Sequence, residues 1–254
     1  MAGIADFLDS LIGGFDLICF CLVVGGLFWG LFILRPWQQQ NSYNSELLQA
    51  TVSLIYKGGF WLAAAQAFKI ILKIWLMNAL LDKWPFPEFA GTTQFIGGLV
   101  RTLLVLLVAG YCYVVLRQNP DSKQRWLTAN LLALPMIISG AWLVHGAGRF
   151  ENQLFLMSFT VLHQVAAAVW IGSVFQLVNL WLLRYRRKVP ETLWPQLLRT
   201  FSPYGIAAVA AILLSGLPIA LQYIDSINGL FGPGAGDRLT VKVILLVMPL
   251  GYAW

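Results

Sequence analysis

The chain has two histidines, His145 and His163, and imidazole is the commonest metal-binding side chain available to it. Both fall inside long apolar runs, where an ionisable group is a candidate for function by default. The runs are consecutive, and the short connection Gly146–Asn152 makes them antiparallel neighbours that share one side of the bundle. At 1.5 Å per residue, His145 sits roughly 6 Å and His163 roughly 18 Å from that turn, a mismatch that tilt or a projecting helix would reduce. Two imidazoles can hold copper, or haem iron as axial ligands. Sulfur adds little: Met136 and Met157 fall on other helical faces, and Cys19 and Cys21 point about 200° apart. On the second run, His163 and Trp170 are seven residues apart and share a face, with Ala166 and Ala167 between them and Gly172 just beyond. Small residues there admit a neighbouring helix and Trp170 can wall off a pocket, although packing alone explains the alanines and the glycine equally well.

Charged residues inside apolar runs form a second group. Lys69 and Lys73 are four apart on one helical face, with Gln66 one turn away, while Arg101 and Lys242 lie in later runs. Asp16 is the acid placed well inside a run, and the path of the chain lets it meet Lys69 or Lys73. Asp16, Lys69, Lys73 and Lys242 are therefore a candidate intramembrane charge network. Lys57, Lys73 and Lys242 can instead snorkel to an interface, whereas Lys69 is deep enough to need a partner or a wet cavity. A ring of positive charge would repel copper ions and argues against a simple cation pore. There is no Walker glycine loop, no Asp-Lys-Thr-Gly segment and no hydrolytic triad, so the expectation is a protein that is not an enzyme and does not consume ATP.

The elements that must position these residues follow from composition. Of 254 residues, 59% are hydrophobic and 11% charged, with a mean hydropathy of +0.72. Globular chains carry about 25% charged residues, and a soluble body of this size could not cover its surface with so few. The apolar residues come in blocks of membrane-spanning length, near Leu11–Leu34, Val52–Leu81, Phe95–Leu116, Leu127–His145, Leu154–Leu183, Ile206–Tyr223 and Leu239–Trp254. The expected fold is an all-α, polytopic transmembrane bundle of seven spans, one integral membrane domain over residues 1–254. Arg35-Pro36 and Trp84-Pro85-Phe86-Pro87 are expected to end the first two spans, and Trp37, Trp84, Trp126, Trp181 and Trp194 to sit at the interface with lipid headgroups.

Arg35, Arg117, Lys123, Arg125, Arg184, Arg186, Arg187, Lys188 and Arg199 fall on one side of this topology, and Lys83, Arg149 and Arg238 on the other. The positive-inside rule then puts the N-terminus outside. The net charge of +6 is accounted for by topology and gives no reason to expect nucleic acid as a partner. The seventh span stops at Trp254 after about sixteen residues without a polar flank, so an eighth helix is expected beyond it.

The pattern His-x-x-x-Ala-x-x-Trp-x-Gly, carried by His163, Ala167, Trp170 and Gly172, resembles the copper resistance protein D (CopD) family. The small-residue segment around His145 (Val144-His145-Gly146-Ala147-Gly148) and the Thr240/Lys242 run Leu239–Leu246 are similar to it as well. The likeness is best over residues 127–254 and departs at Ser173, where the family often has a second glycine. The resemblance implies a multi-pass protein of the bacterial inner (plasma) membrane that acts in copper uptake or homeostasis. It implies that His145 and His163 receive the metal at the periplasmic face beside a periplasmic copper-binding protein, with Trp170, Ala167 and Gly172 shaping the pocket. Two alternatives stay open from the residues themselves: a b-type cytochrome with His145 and His163 on haem b, or a non-catalytic accessory subunit of a larger membrane complex.

Overall fold

The computed structural model describes residues 2–40, 45–81, 84, 86–145, 153–187 and 193–221, and among them every regular element is a helix. Helix α1 (Ala2–Phe28) runs on through a π-helical stretch, Trp29–Leu34, into α2 (Arg35–Gln40). Then come α3 (Glu46–Leu81), the short α4 (Phe86–Ala90), α5 (Thr93–Tyr111) with a π-helical end at Cys112–Leu116, α6 (Lys123–His145), α7 (Gln153–Arg187) and α8 (Leu193–Leu221). Five segments are long and apolar enough to cross a membrane: Phe7–Gln40, Glu46–Asn78, Thr93–Leu116, Gln153–Leu183 and Leu193–Ala220. They coincide with the first, second, third, fifth and sixth expected spans. The fourth expected span forms α6 but is not among those five, and the seventh, Leu239–Trp254, lies outside the described residues.

The surface is apolar and part of the core is polar. Leu11, Ile71, Leu103, Leu131, Leu154 and Leu214 are exposed, whereas Gln66, Arg101, Ser173, Gln176 and Ser215 are buried. That inversion suits a body whose outer solvent is lipid. Helix α1 is the central pillar: its span is 72% buried, against 22–33% for the other four. It packs on α3 and α7, while α3–α5, α5–α6 and α6–α7 contacts build a layer around it and α8 docks on the outside of α7. Glycines on α1 and its π-helical continuation make this crowding feasible. A Cβ on Gly25 would lie 2.1 Å from the Ala168 carbonyl oxygen, and one on Gly30 would lie 2.1 Å from the Trp126 ring.

Two local expectations change. Arg35-Pro36 does not end the first helix. The preceding π turn, in which the Arg35 N–H bonds to the Gly30 carbonyl, takes up the register shift around a residue with no N–H to offer. Trp126 is fully buried, not interfacial, because its indole fills the notch at Gly30 and donates to the Pro120 carbonyl at 2.7 Å. Trp37 is buried likewise, donating to Gln196 at 3.2 Å.

Candidate functional site

His163 lies on α7 about three turns from its start, and its imidazole meets α8. Nδ1 is 3.1 Å from the Ser215 hydroxyl oxygen and 3.2 Å from the Ile212 carbonyl oxygen. The neighbouring residue of α8 must be small, since a Cβ on Gly216 would stand 3.3 Å from His163 Cε1. The hydrogen-bond directions assign the tautomer. A carbonyl can only accept, and the Ser215 hydroxyl donates backward to the Ala211 carbonyl, so it too accepts from the ring. Nδ1 therefore carries the proton, and in the neutral ring Nε2 carries the lone pair. Metal-binding histidines are commonly oriented in this way, by an acceptor on the nitrogen that does not face the metal.

Of the other residues expected around this site, Trp170 is half-buried and packs on the core, and Ala167 is half-buried beside it. Gly172 has a definite structural role. A Cβ there would lie 2.1 Å from the Cys21 carbonyl oxygen, so this glycine lets α7 cross α1 backbone to backbone. Ser173, at the departure from the family pattern, is fully buried, and its hydroxyl has no partner among the described residues. His145 is the last residue of α6, and its side chain lies outside the described residues, so its approach to His163 does too. Among the described residues no three His, Cys, Asp or Glu side chains gather where they could hold a metal ion. Cys19, Cys21 and Cys112 are free and buried, and Met136 is fully buried.

Of the residues grouped as a candidate charge network, the structure brings Asp16, Lys69 and Lys73 together at one cavity. Asp16 on α1 pairs with Lys69 on α3 at 3.7 Å and accepts a hydrogen bond from Gln66. Lys73 reaches across to α5 and donates to Gln94 at 3.2 Å. All of these residues line one cavity of about 230 Å³ together with Arg101, Ile70, Phe89 and Gly98. Lys242 lies outside the described residues. Arg101 is the member that residue spacing on one helix could not supply. It comes from α5, is only 8% exposed, and its guanidinium rests 5.7 Å from the centre of the Phe20 ring. Two features of local sequence put it there. Thr92 caps α5, its hydroxyl accepting from the Phe95 N–H at 3.2 Å. Gly140 on α6 leaves the space for the guanidinium, since a Cβ there would lie 2.0 Å from Arg101 Nη1.

Comparison with known proteins adds to this geometry. Residues 195–254 match the family described as copper resistance protein D. Of that stretch the structure describes most of α8, the helix that supplies Ser215 and Gly216 to His163. The chain is also similar to the copper transport protein CutJ of Bacillus subtilis (strain 168), with 33% identity over 165 residues. That alignment covers 64% of this chain and 29% of the relative, so the chain spans less than a third of the length of the curated relative it matches. No solved structure matches it. Over residues 195–254, this multi-pass membrane chain is thus similar to the copper resistance protein D family.

Proposed function

We propose that the chain is the membrane part of a copper uptake or homeostasis system of the bacterial inner membrane, a transporter rather than an enzyme. Copper is its cargo, accepted near the periplasmic face by His163 with His145 and delivered by a periplasmic copper-binding protein. The observation that carries this reading is the fixed imidazole of His163. Ser215 and the Ile212 carbonyl hold the ring through Nδ1, the arrangement by which metal-binding histidines are commonly oriented. Ser215 belongs to the segment that matches the family. Two imidazoles suffice for exchangeable, two-coordinate Cu(I), and a carrier must release what it binds. The N-terminal ends of α1, α5 and α7 would face the periplasm, with Arg35, Arg117 and Arg125 at the cytoplasmic end. Arg35 donates to the Asp121 carbonyl at 3.0 Å and Arg125 to the Val115 carbonyl at 2.7 Å, which ties these cations to one end of the bundle.

Metal analysis and a visible spectrum of detergent-purified protein test the assignment. The expected result is a colourless protein that binds Cu(I) and loses it on His163→Ala. Copper binding unchanged in both His163→Ala and His145→Ala refutes the assignment, and a Soret band would replace copper with haem on the same histidines.

A further inference from the structure

We infer that the cavity between α1, α3 and α5 binds a phosphate-type oxyanion, at a site separate from His163. The charge balance of its lining is the reason. Three cations, Lys69, Lys73 and Arg101, face one carboxylate, Asp16. That carboxylate is already engaged by Lys69 and Gln66. Among the described residues, Lys73 donates to the neutral Gln94 amide, and Arg101 Nε is buried without a hydrogen-bond partner. With one carboxylate against three cations in the lining, the buried guanidinium is only partly compensated, and a buried charge short of a full partner costs several kcal/mol, so the site gains from an anion that enters it.

The shape suits an oxyanion. Lys73 and Gln94 are exposed and form the mouth, while Arg101, Gln66 and Asp16 lie deeper. A cavity of about 230 Å³ has room for a phosphate group with accompanying water, since roughly 10–15 Å³ of such space already holds one water. Guanidinium presents a planar fork to two oxygens of such a group, Lys73 adds a point charge at the entrance, and the two glutamine amides can donate further hydrogen bonds. A phospholipid headgroup and a free phosphate share this chemistry.

The two sources separate experimentally. The full chain, delipidated in a non-ionic detergent, is titrated with inorganic phosphate against chloride at equal ionic strength. It is also reconstituted in nanodiscs of phosphatidylglycerol or of phosphatidylcholine. The unfolding midpoint is read from alkylation of the buried cysteines. A saturable rise with phosphate identifies a free oxyanion, and a rise confined to phosphatidylglycerol identifies a headgroup. Lys73→Gln, at the exposed mouth, should weaken the apparent affinity about ten-fold, the loss of one charge-assisted hydrogen bond. Arg101→Gln should abolish the rise and Arg101→Lys should restore most of it, which separates lost binding from a damaged fold. No rise in either arm, or a rise that Lys73→Gln and Arg101→Gln leave unchanged, overturns the proposal. Copper binding at His163 is read independently and does not depend on this outcome.

Discussion

Ser215→Ala tests the geometry of the histidine more sharply than removing the histidine itself. The substitution deletes one of the two acceptors of the Nδ1 proton, the hydroxyl at 3.1 Å, and leaves the Ile212 carbonyl at 3.2 Å. Removing the group that orients a metal-binding histidine costs about 10–100-fold in affinity, and the surviving acceptor places this case near the lower bound. We therefore expect Cu(I) binding to weaken roughly ten-fold, about 1.4 kcal/mol. Competition against a Cu(I) chelator in detergent measures it. Alanine fits the same volume, and the hydroxyl's bond to Ala211 is worth only about 1 kcal/mol of stability, so the protein should remain folded. Undiminished affinity in Ser215→Ala, alongside copper loss in His163→Ala, would show that the contact is idle and that the tautomer argument is wrong.

Gly172→Ala should destabilise the protein by about 2–3 kcal/mol, because its new methyl meets the Cys21 backbone carbonyl and only movement of α1 can relieve the overlap. Earlier alkylation of Cys21 on heating would report it, and an unchanged midpoint would contradict the close crossing. For topology, Asp121→Cys sits at the end of the bundle shared with Arg35 and Gln38. An impermeant thiol reagent should label it only after the membrane is opened, and labelling of intact cells would reverse the proposed orientation.

Much of the helical plan was legible because membrane spans announce themselves through length and hydropathy alone. The pairing of Asp16 with Lys69 was legible too, because the antiparallel path of α1 and α3 brings their charged residues to similar depth. What spacing along one helix could not supply was the third partner in space. Arg101 joins the network through a cap at Thr92 and a vacancy at Gly140, residues with no charge to draw notice. Ser215 was missed for the same reason: a serine in an apolar helix reads as filler until His163 is placed against it. The breaking power assigned to Pro36 was overturned because one wide π turn is a cheap way around a missing donor.

The two sites also bear on one another through their separation. Lysines near a copper site would repel the ion, which is the objection to any simple pore through this bundle. On α1, Asp16 and Gly25 are nine residues apart, and on α7 so are His163 and Gly172. Nine residues are two and a half turns, about 180° around a helix. Gly25 and Gly172 face each other where α1 crosses α7. Asp16 therefore points away from that crossing toward Lys69 on α3, and His163 points away from it toward Ser215 on α8. The cations and the imidazole end up on opposite sides of two packed helices. With helix axes 8–10 Å apart plus the reach of both side chains, the gap is on the order of 15–20 Å, where one charge acts on another with roughly 1 kcal/mol at an effective dielectric of 20. A repulsion of that size tunes a site without closing it, so a cationic cavity and a copper-binding histidine can share this bundle.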